Sequence, residues 1–102
     1  MSQYPSSRYV SFKWIVDSQF SFPTSLRIAV NGYRGAEGMG DLMSVIVEFI
    51  GVEPQDIPQC TRARLQALSD NRSDKLPGIG ETFIVTAGTK PIAMCVGISE
   101  DR

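Results

Sequence analysis

The run TFIVTAGTKPIAMCVGI, residues 82–98, constrains the fold more than any other stretch of this chain. Two apolar segments flank AGTK, whose glycine supplies a turn. Phe83, Ile84 and Val85 are consecutive, and so are the apolar positions from Ile92 to Val96. Successive side chains of a strand point to opposite faces, so both faces of this hairpin are apolar. Such strands belong in the centre of a sheet or at a subunit interface. With 102 residues the chain is one domain with room for a modest core. The second cover for the hairpin therefore comes from the rest of the chain or from another copy.

The remainder reads as follows. MSQYPSS, residues 1–7, is polar and expected to be frayed, leaving a single domain over residues 8–102. RYVSFKWIVD alternates, with Val10, Phe12, Trp14 and Val16 on one face and Ser11, Lys13 and Asp17 on the other, as a half-buried strand does. Leu26, Ile28 and Val30 continue a second strand, expected to pair antiparallel with the first. In the connecting DSQFSFPTS, Phe20 and Phe22 either fold back over the core edge or offer an aromatic patch to a partner. DLMSVIVEFIG, residues 41–51, reads as a buried helix. Ser44 and Glu48 lie four apart on one wet stripe, Asp41 can cap its start, and Gly51 can end it. Pro58 then opens a second helix, QCTRARLQALSD, with Leu65 and Leu68 beside Thr61 and with Arg62, Arg64 and Gln66 facing solvent. NRSDKLPGIGE, residues 71–81, is a loop. The order β-β-α-α-β-β predicts an α+β domain of about four mostly antiparallel strands with two helices on one face.

Candidate chemistry begins with the glycines. The stretch from Gly32 to Gly40 holds four of them, and Arg34, Gly35, Gly38 and Gly40 form the candidate ligand-binding set. The spacing Gly35 to Gly40 matches the end glycines of a Walker loop, but Asp41 and Leu42 stand where that loop needs Lys and Ser or Thr. Gly35, Gly38 and Gly40 reverse the dinucleotide spacing, and Glu37 and Asp41 would repel an anion. A mobile loop or a tight bend from strand to helix explains the glycines better.

The chain has no histidine, which removes Ser-His-Asp and Cys-His catalysis and every His-containing zinc site. Cys60 and Cys95 form no CxxC and read as buried free thiols. Glu53, Asp56 and Asp70 show no calcium-loop spacing, so no metal and no catalytic residue is assigned. Acid–base work stays open to Asp17, Glu37, Asp41, Glu48, Glu53 and Glu81, with Glu48 in the most apolar setting. Thr61, Arg62 and Arg64 loosely fit a DNA-recognition helix, but a net charge of −1 lacks a nucleic-acid binder's basic excess. The N-terminal residues lack a signal-peptide core, and no apolar run is long enough for a bilayer. A cytoplasmic protein without cofactor or membrane attachment is expected.

TRARLQALSD followed by GETFIVTAGTKPIAMCV resembles the N-terminal dimerisation module of Phd/YefM antitoxins. In that family a helix precedes a GE-apolar-T-x-x-G-K-P-apolar-A hairpin. The resemblance covers at most residues 60–97. It departs by the inserted NRSDKLPGI, by Thr89 in the turn, and by the lack of a toxin-neutralising tail beyond Arg102. It implies a helix before the hairpin and a dimer.

Two functions follow. One is a non-catalytic interaction or regulatory module that forms a homodimer or binds another protein, using Phe20, Phe22, Tyr33, Arg34, Arg62 and Arg64. The other is a small-molecule- or nucleotide-binding protein or enzyme that uses the Gly32–Gly40 loop and a carboxylate.

Overall fold

The computed structural model describes residues 7–17, 19–35, 38, 42–68 and 75–99. Six strands form one closed antiparallel barrel: β1 (Ser7–Trp14), β2 (Arg27–Arg34), β3 (Met43–Phe49), β4 (Arg62–Ala67), β5 (Thr82–Ala87) and β6 (Lys90–Gly97). Around the barrel the order is β1-β4-β3-β2-β5-β6, with β6 returning to β1. Among the described residues there is no α-helix, and Pro54–Gln59 is a short 3-10 segment. The α+β expectation is therefore overturned, and both expected helices are strands.

The reason lies in which residues are buried. In β3, Met43, Val45, Val47 and Phe49 point inward, while Ser44, Ile46 and Glu48 point out. A separation of four residues is one helical turn, but it is also an even number. Ser44 and Glu48 thus share a face in either structure, and the β-branched Val45-Ile46-Val47 decides for the strand. In β4, Ala63, Leu65 and Ala67 are buried and Arg62, Arg64 and Gln66 face outward. Leu68, which a helix would have buried with Leu65, is 55% exposed. The proposed cap Asp41 lies outside the described residues. Pro58 sits inside the 3-10 segment rather than at the start of a helix. Since a strand precedes the hairpin, the antitoxin-like order of helix then hairpin is not what this chain forms.

The expected pairing of the first two strands also gives way. β1 lies between β4 and β6, and β2 between β3 and β5. The C-terminal hairpin forms as expected. Ala87 pairs with Lys90 across Gly88 and Thr89, and Gly88 takes the left-handed φ of 63° that a two-residue turn requires.

Large and small side chains alternate inside the barrel. Phe12, Phe49, Phe83 and Leu65 fill it beside Ala63, Ala67, Ala93 and Cys95. Gly32 makes room for Phe83, whose ring occupies the space a Cβ would need. The two ends are closed differently. At the Trp14 end, Phe20 and Phe22 fold back onto the indole, with ring centroids 5.6 and 5.0 Å away. Trp14 Nε1 donates to the carbonyl of the buried Ile57 at 2.9 Å. At the Arg34 end, Leu76 and Pro77 are buried and the backbone of Gly78 lies against Gly97.

Candidate functional site

The residues singled out from the sequence fall in three separate places. Phe20 and Phe22 belong to the Trp14 end, where they are half-buried against the aromatic cluster of Phe12, Trp14 and Phe49. Arg34 closes β2 at the opposite end. Seven residue-to-residue steps along the strand separate it from Arg27, roughly 23 Å at the usual rise. Arg62 and Arg64 stand on the outer face of β4. These residues do not converge on one surface.

The glycine stretch leaves the barrel at the Arg34 end. Gly32 is inside β2 and belongs to the packing, whereas Gly35 follows the strand and donates its N–H to the Thr82 carbonyl at 2.9 Å. Gly38 has a φ of 78° and donates to the Arg34 carbonyl at 3.2 Å, as a tight turn does. Gly40, Glu37 and Asp41 lie outside the described residues. The next element is strand β3, so among the described residues no helix N-terminus follows the glycines to attract an anion. Arg34, Gly35, Glu81 and Thr82 line an open cleft. Its two charges face each other, with Arg34 Nη1 3.7 Å from Glu81 Oε1. The same carboxylate oxygen accepts the Gly78 N–H at 2.8 Å.

The outer face of β4 has a comparable balance. Cross-strand partners place Arg27, Glu48, Arg64 and Tyr9 in one row over β2, β3, β4 and β1. Arg64 Nη2 lies 2.7 Å from Glu48 Oε1, with both side chains about a third exposed (34% and 36%). Such a pair contributes at most about 1 kcal/mol. It does leave Glu48 as a paired surface carboxylate. Without a helix, the recognition-helix reading of Thr61, Arg62 and Arg64 has no element to rest on.

The other half of the barrel wall is apolar on its outside. Lys13, Met94, Ile84 and Tyr33 form one outer row over β1, β6, β5 and β2. Val96 adjoins it, paired with Ser11 and Thr82. Ile15 donates its N–H to Ile92 of β6 at 3.0 Å, and Ile79 bridges Gly97 at the far end of β6. Among the described residues, four large apolar side chains are exposed: Ile15, Leu68, Ile79 and Met94. Three of those four lie along β6.

Inside the wall, Cys60 and Cys95 are free and buried. Cys60 Sγ donates to the Arg62 carbonyl at 2.8 Å. Burial, reinforced by the nearby Cys60, pushes the Cys95 thiol up to about 12. Neither is poised as a nucleophile, which requires accessible thiolate.

One residue that the sequence reading passed over belongs with the Arg34 end. Arg8 is two positions before the buried Val10 and directly opposite the buried Leu65, so it lies on the inner face of β1. Its parity with Val10, Phe12 and Trp14 was the available signal. Among the described residues, no group of three or more Cys, Asp or Glu side chains is gathered as a metal site, and no helix is long and apolar enough to cross a membrane. Comparison with protein-family models, with curated proteins and with solved structures finds no match to this chain.

Proposed function

We propose that this chain is a non-catalytic interaction module that pairs with a second copy of itself through the outer face of the β5–β6 hairpin. The observation that carries this reading is the alignment of Ile15, Ile79 and Met94 along β6, beside the outward Ile84, Val96 and Tyr33. A closed barrel offers no free strand edge, so association has to use side chains on the wall. This part of the wall is apolar at its centre, with Lys13 at its margin, which matches the pattern of an interface core with a polar rim. An uncharged centre has nothing to select a charged partner. A two-fold axis through it would set Met94 of each copy against Ile84 of the other.

The ligand-binding alternative is less well supported. It needs a carboxylate beside the glycine stretch, and among the described residues the one that lines the cleft there, Glu81, is already engaged by Arg34 and Gly78.

Sedimentation velocity over a concentration series tests the proposal. The wild-type chain should run as a dimer. The double variant Ile79→Ser with Met94→Glu should run as a monomer that still unfolds cooperatively, because both positions are exposed, and should lose only the stability that pairing adds. A monomeric wild type at every concentration would refute it.

A further inference from the structure

Met94 stands in the middle of the apolar outer wall, between Lys13 on β1 and Ile84 on β5. It is 39% exposed, whereas Met43 is 5% exposed inside the barrel. Met1 and Met39 lie outside the described residues. Among the described residues, Met94 is therefore the one thioether open to a reagent in solution. Cys60 and Cys95, the thiols that would compete for an oxidant, are both buried, and oxidation of a thiol needs an accessible thiolate. Leucine would cover an apolar face as well as methionine does. Only methionine can turn that face polar by a reversible reaction.

We propose that Met94 is a modification site at which a peroxide switches self-association off. The proposal rests on pairing through the β5–β6 face. The sulfur attacks one peroxide oxygen and the O–O bond breaks. That oxygen stays on sulfur as the sulfoxide, and the other leaves as water, so sulfur is oxidised and peroxide reduced. The reaction takes place on the separated chain, where Met94 is open to solvent. A sulfoxide oxygen accepts hydrogen bonds, and burying it without a donor is unfavourable. Against Ile84 of a second copy it meets no side-chain donor. Lys13 is its cross-strand neighbour, but it lies at the margin, so reaching its ammonium draws Met94 away from the centre. Two-fold symmetry makes each loss count twice. The dissociation constant of the dimer should rise roughly tenfold or more.

Hydrogen peroxide treatment of the full chain, followed by peptide mass mapping and sedimentation velocity, tests the site. Met94 should gain one oxygen well before Met43 does, and the chain should pass from dimer to monomer. Methionine sulfoxide reductases should restore the dimer, a readout that needs no variant. Met94→Leu keeps an apolar side chain of similar volume and should stay dimeric before and after peroxide. That variant also controls for oxidation elsewhere in the chain. A chain that is dimeric at the start and still dimeric with Met94 fully oxidised would overturn the switch and leave pairing standing. So would oxidation of Met43 ahead of Met94, or equal dissociation of Met94→Leu. A chain that is monomeric before any peroxide is added would overturn pairing itself, and the switch with it.

Discussion

Gly97 shows how closely the chain approaches itself at the Arg34 end. A Cβ there would meet the backbone of Gly78, with its carbonyl carbon 2.8 Å away and the Pro77 oxygen at 3.3 Å. The sequence gives no sign of this contact, because a glycine near the end of an apolar strand looks like any other. Arg8 was legible by parity, yet a charged residue at the start of a strand reads as solvated until its cross-strand partner Leu65 is known. Cys95 was more transparent, since it sits in an apolar run, whereas Cys60 stands between Gln59 and Thr61; both are buried. Cys95 carries a pH prediction. Its folded value, about 12, lies above its ordinary 9.0, so the folded chain holds this proton where the unfolded chain has released it. The contribution is fully present below pH 9 and is lost as pH rises toward 12. Urea denaturation of Cys95→Ala across this range should show a shallower alkaline decline than the wild type. Equal slopes would mean that the thiol is not the group responsible.

Among the elements, β1, β2 and the β5–β6 hairpin were legible because alternation or a double apolar run is hard to mistake. β3 and β4 were not. In β3 a four-residue spacing satisfies both periods. In β4 two of the three inward residues are alanines, whose small side chains blur the alternation with Arg62, Arg64 and Gln66. The connection carrying Phe20 and Phe22 was legible as a choice between two roles, and its geometry puts both rings against Trp14, 5.1 Å from each other. Full burial of a phenylalanine makes its truncation cost about 3–5 kcal/mol. These two are half-buried, so Phe20→Ala with Phe22→Ala should together cost about 2–4 kcal/mol in urea denaturation. Near-normal stability in the double variant would show that the rings serve a surface rather than the core.

At the scale of the whole molecule, closure depends on contacts that no local pattern encodes. β1 must find β4 about fifty residues along the chain and β6 about eighty along, as the pairs Tyr9 with Arg64 and Lys13 with Met94 show. Such non-local pairing predicts slow folding, in the millisecond-to-second range typical of all-β domains. It also explains why the candidate residues scatter, since chain neighbours such as the Phe20–Phe22 connection and Arg34 end up at opposite ends of the barrel. The apolar outer wall was foreshadowed by the hairpin's second apolar face. Its inner face is covered by the barrel, and the outer one is the surface proposed for pairing. All of this depends on β1 having two partners and on residues 62–67 being a strand. Cross-strand proton NOEs in a labelled sample decide both points. Contacts should join Tyr9 to Arg64 and Lys13 to Met94 in the same molecule, with no helical i to i+3 contacts through residues 62–67. Contacts from β1 to one neighbour alone, or a helical pattern through those residues, would contradict the closed barrel.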